Sequence, residues 1–162
     1  MTRKQDVYNV TFGGIGGQGI ITASELLGWA ALYDGCCVKK SEVHGMSQRG
    51  GSVESHVRFG KQVYSPLVGI GQADFLLCFH PDEHTRLKPF LRKGGIDLMP
   101  YLEKVQQIAD NPRAVNTGLM GVLATFLPIR LDSWERAMQK VFKPSILEVN
   151  RQMFTKAMAL AE

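Results

Sequence analysis

Five glycines within the seven residues Gly13–Gly19 constrain this 162-residue chain more than any other feature. They follow an apolar stretch rich in β-forming residues, Val7–Phe12, and precede apolar residues that recur at helical spacing from Ile20. This context predicts a strand, a tight turn and a helix whose free N–H groups can bind phosphate. The candidate ligand- or interface-binding residues of the turn are Gly14, Gly16, Gly17, Gln18 and Gly19.

The glycine spacing in this turn is that of a dinucleotide fingerprint, but the second half of the fingerprint is missing. NAD-binding proteins carry an acidic residue about 20 positions further on, at the end of the second strand. This sequence has Lys39 and Lys40 there, and Glu42 comes one step late. We therefore expect negligible NAD binding, whereas lysines would suit the phosphate of NADP or coenzyme A. A purely structural role for the glycines stays an alternative.

A second glycine-rich segment, His44–Gly51, has no apolar periodicity and carries four polar side chains among three glycines. Arg49 stands next to two glycines, which predicts an anion clamp because a planar guanidinium would lie beside backbone N–H groups that can form a nest. His44 is either an acid or base or a side chain that fixes the loop by a hydrogen bond. A structural role for the whole loop also stays open. The candidate ligand- or interface-binding residues are His44, Ser47, Gln48, Arg49, Gly50 and Gly51.

The rest of the chain shows strand and helix patterns. Ser52–Phe59 alternates apolar and polar residues, which predicts a half-exposed strand with Glu54, His56 and Arg58 on its polar side, followed by a hairpin into Gln62–Ser65. The other predicted strands are Cys36–Lys40 and Asp74–Phe79, and the later predicted helices are Pro81–Lys93, Pro100–Asp110, Pro112–Leu127, Ser133–Val141 and Pro144–Ala161. This order predicts one α/β domain over residues 1–162, a Rossmann-like sheet flanked by helices with a helical C-terminal extension.

One segment does not fit this order. A helix that ends at Gly94-Gly95 should be followed by a strand of about five or six residues. Only four residues separate this glycine pair from Pro100. Either the core is locally abbreviated or part of the biological chain is absent from this sequence, and we favour absence.

Composition and charge exclude several classes of function. The net charge is +4, without runs of like charge or interleaved aromatic residues, so we expect a small anionic ligand or an acidic partner and no nucleic acid. We find neither a leader nor an apolar span of about 20 residues, and therefore expect no membrane insertion. Three cysteines without a C-x-x-C pair predict a cytoplasmic chain that cannot hold a four-cysteine cluster by itself. We expect no metal at His80 and His84, because the residues between them have the pattern of a helix start. The sequence also contains no complete set of catalytic residues.

Two rare motifs carry a family resemblance. Phe12–Gly19 and Ser41–Gly51, supported by Tyr64–Leu67 and Asn111–Asn116, resemble the gamma subunit of 2-oxoacid:ferredoxin oxidoreductases. The likeness is closest to the small subunit of the indolepyruvate type, and it extends over about Val7–Leu127.

The resemblance implies a non-autonomous subunit of an enzyme. Enzymes of this family oxidatively decarboxylate a 2-oxoacid on thiamine diphosphate, pass electrons through iron–sulfur clusters to ferredoxin and release an acyl-coenzyme A. It implies that large partner subunits bind thiamine diphosphate and the clusters, that coenzyme A is a co-substrate, and that this chain alone binds no cofactor. The alternative is a stand-alone nucleotide- or coenzyme A-binding module without redox chemistry. An independent NAD(P)-dependent dehydrogenase is disfavoured by the missing acidic residue.

Overall fold

A five-stranded mixed sheet organises the fold. The computed structural model describes residues 5–45 and 50–162. The strands are β1 Val7–Ile15, β2 Cys37–His44, β3 Ser52–Gly60, β4 Ala73–Cys78 and β5 Leu91–Asp97. The helices are α1 Ile20–Tyr33, α2 Pro81–Leu87, α3 Met99–Ile108, α4 Val115–Ala124, α5 Leu131–Val141 and α6 Pro144–Met158, with 3-10 turns at Lys88–Phe90 and Pro112–Ala114.

The strand order is β2-β3-β1-β4-β5. Strands β1, β4 and β5 are parallel, whereas β3 runs antiparallel between β1 and β2. The predicted α/β class and the helical C-terminal part are thus confirmed. In a dinucleotide-binding fold, however, the second strand lies beside the first. Here β2 is an edge strand, so Lys39 and Lys40 do not stand beside the glycine-rich turn, and Lys40 pairs with Glu42 instead.

One face of the sheet is apolar. We call it the apolar face; it carries Val10, Phe12 and Val57, all fully buried, and its core includes side chains from α1, α4, α5 and α6. Helices α4 and α6 approach each other very closely, because a Cβ at Gly121 would lie 2.2 Å from the carbonyl oxygen of Phe154. The helices therefore cover this face through tight packing.

The opposite face, which we call the polar face, carries Thr11, Glu54 and His56, and it corrects two predictions. Glu54 and His56 are only 8% and 5% exposed, so β3 is not the half-exposed strand that its alternation indicated. The polar side chains are buried because α2 packs on this face and its Arg86 bonds to Glu54. The predicted strand at Gln62–Ser65 is also wrong, since these residues belong to an irregular segment, 61–72.

The region after α2 corrects a further prediction. The helix ends at Leu87 and not at Lys93, and the glycine pair lies inside β5. Ala73 of β4 pairs with Leu91, yet Phe75 pairs with Ile96, so the residues between Leu91 and Ile96 form a bulge, with Gly94 at a φ of +80°. The strand that the α/β order requires is therefore present, and the absence of residues at this point stays a prediction.

Candidate functional site

The turn between β1 and α1 requires its glycines for two different reasons. A Cβ at Gly14 would lie 2.4 Å from a side-chain carbon of Ile20, and a Cβ at Gly19 would lie 2.3 Å from Nδ2 of Asn116. Gly17 has open space around it but a φ of +96°, which other residues rarely adopt. A Cβ at Gly14 or Gly19 would therefore displace a side chain that packs on the turn, and Gly19 also has a φ of +80°, whereas the exposed middle of the turn leaves the backbone accessible.

Gln18 supports the shape of this turn. Its side-chain oxygen accepts a hydrogen bond from the N–H of Ile15 at 2.8 Å, and its Nε2 donates to the carbonyl oxygen of Phe79 at 2.9 Å. The side-chain amide of Gln18 thus links the backbone of the turn to the backbone of Phe79, the residue that follows β4. The predicted ligand-binding role of Gln18 stays a prediction, beside this observed supporting role.

The described end of the second glycine-rich segment, Gly50 and Gly51, leads into β3 and lies against the turn. The N–H of Gly16 donates to the carbonyl oxygen of Gly51 at 2.9 Å, and the N–H of Gly45 donates to the carbonyl oxygen of Ser52 at 2.7 Å. Gly50 adopts a φ of +70°. Two segments that the sequence singled out separately are therefore in direct contact at the carboxyl end of β1, where ligands bind in α/β sheets.

His44, the other described residue that was predicted for this site, does not contact the turn through a hydrogen bond. His44 is the last residue of β2; its imidazole is exposed, and Nε2 lies 3.6 Å from a carboxylate oxygen of Glu42. Ser47, Gln48 and Arg49 lie outside the described residues, so their binding roles stay predictions.

A groove of about 1020 Å³ extends from the glycine-rich turn to α3, α4 and α6. Arg113 and Lys143 line it, and none of the described residues that form its wall is acidic. The first turn of α1 opens into the same space, and a helix N-terminus attracts anions. The groove therefore combines a peptide dipole with two side-chain cations.

Side-chain amides position the turn against the walls of the groove. Asn116 donates from Nδ2 to the carbonyl oxygen of Gly19 at 3.2 Å. Thr117, its neighbour, donates to Oδ1 of Asn150 at 2.6 Å, and Asn150 donates to the carbonyl oxygen of Ile146 at 2.9 Å. The turn, α4 and α6 are thus joined by one short polar ladder.

No sequence pattern assigned the wall residues Arg113, Asn116, Lys143 and Asn150 to a binding site. The stretch Asn111–Asn116, which supported the family resemblance, was the available signal for Arg113 and Asn116. Lys143 directly precedes α6 and Asn150 lies within it, and only the packing of α6 brings them to the groove.

A second polar cluster, on the polar face, has the arrangement of a hydrolase triad. Thr11 Oγ1 lies 2.9 Å from Nδ1 of His56, whose Nε2 lies 2.7 Å from a carboxylate oxygen of Glu54. Burial alone would raise the pKa of Glu54, but hydrogen bonds from Arg86 and His56 hold that pKa below its ordinary value. Since Thr11 and His56 are buried, a substrate has no access to this hydroxyl, and the cluster stabilises the sheet.

The Cys78 thiol and the histidines His80 and His84 have structural roles. Burial raises the pKa of the Cys78 thiol to about 12, which leaves it protonated and unreactive at neutral pH. His80 accepts a hydrogen bond from the N–H of Asp82 as the cap of α2, and His84 bonds to Asp97 at 2.6 Å. The predicted helix start at Pro81 is confirmed.

Within residues 5–45 and 50–162, no group of three or more His, Cys, Asp and Glu side chains is placed to hold a metal ion. None of the helices described there has the length and apolar character needed to cross a bilayer.

The mixed sheet, the glycine-rich turn and the cationic groove define the class: an α/β domain with a glycine-rich turn at the carboxyl end of its first strand. The chain belongs to the pyruvate ferredoxin/flavodoxin oxidoreductase family, whose sequence model matches residues 9–160. It is 55% identical over 89 residues to the indolepyruvate oxidoreductase subunit IorB of Thermococcus kodakarensis. That match covers 55% of this chain and 44% of the relative, so it spans less than half of the relative's length.

Solved structures share the fold. The gamma subunit of a keto/oxoacid ferredoxin oxidoreductase from Geobacter sulfurreducens superposes with a TM-score of 0.76 at 23% identity, covering 95% of this chain and 98% of that one. A 2-oxoglutarate:ferredoxin oxidoreductase from Magnetococcus marinus, solved with 2-oxoglutarate, coenzyme A and succinyl-CoA bound, gives 0.81 at 18% identity. There the match covers 98% of this chain and 31% of the other. The family resemblance is confirmed, and these matches give no support to a stand-alone binding module.

Proposed function

We propose that the chain is the gamma-type subunit of a 2-oxoacid:ferredoxin oxidoreductase of the indolepyruvate or pyruvate type. In this role it helps a cytoplasmic complex to convert a 2-oxoacid into an acyl-coenzyme A while electrons pass to ferredoxin. The family match over residues 9–160 supports the assignment. The observation that carries it is the contact of the two glycine-rich segments beside a groove with two cations and no acidic residue among its described wall residues.

In this role the chain works beside larger partner subunits that bind thiamine diphosphate and the iron–sulfur clusters. The cysteines of this chain do not fit a cluster: Cys78 is enclosed in the core at the end of β4, whereas Cys36 and Cys37 lie at the start of β2. Because β2 and β4 run in the same direction in the sheet, the thiols at the start of β2 and the thiol at the end of β4 lie at opposite ends of the strands. The 31% share of the Magnetococcus chain supports a domain that works as one part of a larger enzyme.

The chain's own contribution is to bind the phosphates of coenzyme A. Arg113 and Lys143 supply positive charge, the N-terminus of α1 supplies free N–H groups, and the walls include the apolar Phe142 and Ile146, which suit the uncharged part of the cofactor. Arg49 adds a further cation from the second glycine-rich segment, as its sequence context predicts.

Calorimetric titration of the assembled enzyme with coenzyme A tests this role. Arg113→Ala and Lys143→Ala are each expected to weaken binding by about 10–100-fold, the equivalent of a charge-assisted hydrogen bond of about 1.5–3 kcal/mol. Lys104→Ala, which removes a cation of α3 that does not line the groove, should leave the affinity unchanged. Unchanged affinity in both groove variants would assign coenzyme A to another subunit.

The isolated chain provides the complementary test. It should be colourless, and it should not oxidise a 2-oxoacid without its partners. An iron–sulfur absorption spectrum or 2-oxoacid oxidation by the pure chain would contradict its role as a non-autonomous subunit.

A further inference from the structure

The two edges of the sheet differ in how they are protected. Edge strands usually avoid pairing with other chains because they carry a proline or a bulge, or because they are covered. Strand β5 follows this rule, since a bulge with Gly94 at positive φ interrupts it. Strand β2, in contrast, pairs with β3 without a break over all eight of its residues and contains no proline. None of these eight residues is buried, so β2 is an open sheet edge.

The backbone bonds of β2 show which groups face this edge. The N–H of Gly45, directly after the strand, donates to the carbonyl oxygen of Ser52, and this bond continues the β2–β3 register. Bonded and non-bonded pairs alternate in an antiparallel ladder, so the odd-numbered residues of β2 bond to β3 and the even-numbered ones direct N–H and C=O outwards. The outward residues are Val38, Lys40, Glu42 and His44. Among the described residues, no backbone hydrogen bond outside the helices and the sheet ladder uses these outward groups.

The charges of β2 fit a second copy of the same strand. When two β2 strands pair antiparallel about Ser41, each outward residue faces an outward residue of the other copy, and Lys40 lies opposite the second copy's Glu42. A pairing centred on Lys40 or on Glu42 would place like charges opposite each other, which is destabilising. A larger displacement pairs fewer of the outward residues. Charge and hydrogen bonding thus favour the one register that is centred on Ser41.

The charged residues at the middle of this edge make it complementary to itself. Lys40 lies 2.5 Å from a carboxylate oxygen of Glu42 in its own chain. Two strands paired about Ser41 would therefore bring two lysines and two glutamates together in alternation, with unlike charges nearest to each other. An edge of a single sign would require a partner of different sequence, whereas this edge carries both signs in symmetric positions.

We infer that this chain forms a homodimer in which two β2 strands pair antiparallel about Ser41 and join the two five-stranded sheets into one continuous sheet. The inference goes beyond the proposed function, because the contact requires no other subunit. None of the described residues that line the groove lies in β2, so the dimer contact uses no wall of the groove.

Mixing two charge variants of the purified chain tests this interface. In light scattering, the wild type should have twice the monomer mass of 18.0 kDa. Lys40→Glu and Glu42→Lys each place like charges opposite each other, so each should raise the dissociation constant of the dimer by at least about tenfold. An equimolar mixture of the two variants should restore a dimer, because each chain then offers the opposite charge at both positions. Lys39→Glu changes the net charge as much as Lys40→Glu but faces Val43 of the second copy, and this matched control should leave the dimer intact.

A cysteine at the centre of the pairing gives a second test, which also applies to the assembled enzyme and to charge variants that fold poorly. Opposite residues of a non-hydrogen-bonded pair have Cα atoms about 4.5 Å apart, a distance that a disulfide spans. Ser41→Cys should therefore give a cross-linked dimer in a non-reducing gel after oxidation. Lys39→Cys, whose two copies would lie about 13 Å apart, should not cross-link. The wild type shows the background from the three native cysteines.

Four outcomes would overturn the inference. A wild-type chain that stays monomeric up to about 1 mM lacks the interface. A dimer that survives both charge reversals uses another surface. Two monomeric charge variants that do not associate when mixed do not pair in the register centred on Ser41. A wild-type dimer whose Ser41→Cys variant does not cross-link has another symmetry axis. Each of these outcomes leaves the proposed function unaffected.

Discussion

The two faces of the sheet are stabilised in different ways. The apolar face is covered by α1, α4, α5 and α6, and its fully buried side chains gain stability from burial that needs no particular partner. The polar face is covered by the seven-residue α2 and by segment 61–72, and a few directional hydrogen bonds hold it together. The apolar face is therefore held by burial that is not directional, whereas the polar face depends on a few specific pairs of side chains.

The largest effect is expected on the apolar face. Phe12→Ala removes a fully buried ring and should lower the free energy of unfolding by about 3–5 kcal/mol. Urea denaturation followed by circular dichroism measures this change. Leu32→Ala, at a half-exposed position of the same layer, should change stability by no more than about 0.5 kcal/mol. If Phe12→Ala lowers the free energy of unfolding by less than Arg86→Met on the polar face, the expected ranking of the two faces is wrong.

An intermediate effect is expected for Arg86→Met on the polar face. This substitution leaves the buried carboxylates of Glu54 and Glu83 without their cation, at a cost of about 2–3 kcal/mol at pH 7. The cost stays below that of a fully buried pair because the Arg86 side chain is 41% exposed.

The pH dependence sharpens this prediction. The folded-state pKa of Glu54 is lowered by Arg86 and His56, so the stability that Glu54 contributes is present above its ordinary pKa of 4.5 and is lost as the pH falls through the lowered value. The stability difference between wild type and Arg86→Met should therefore shrink below about pH 4.5. Lys93→Met, which removes an exposed cation, serves as the reference. A difference that stays constant down to pH 3 would show that Arg86 acts through packing.

The smallest effect is expected for Thr11→Val. Valine keeps the shape of threonine but cannot bond to Nδ1 of His56, so the free energy of unfolding should fall by about 1 kcal/mol. Urea denaturation gives the energy, and the nitrogen chemical shifts of the His56 ring report the altered partner. An unchanged ring spectrum with unchanged stability would mean that the Thr11 hydroxyl does not bond to this ring in solution.

Features encoded within a short stretch of chain could be predicted. Strand β1, the glycine-rich turn and α1 follow one another within about 30 residues, and each is indicated by residues that belong to it. The importance of Gly14 and Gly19 was also predictable, because glycine is the residue that such a close approach requires.

Features that depend on distant residues could not be predicted. The alternation in β3 indicated a solvent-exposed side, but Arg86 of α2, 32 residues from Glu54, converts that side into a buried network. The glycine pair in β5 resembled a helix end, since a bulge and a helix terminus both use glycine at positive φ. Lys143 joins the groove only through the packing of α6.

The hydrogen bond between Asn116 and Gly19 has a consequence for how the protein acquires its site. It joins residues that are 97 positions apart, so the contact forms only after a long loop has closed. On the ribosome, the turn can take up its local conformation as soon as α1 has emerged, but the groove beside it is incomplete until α4 and α6 have been synthesised. The order of synthesis thus separates the early formation of the turn from the later completion of the groove.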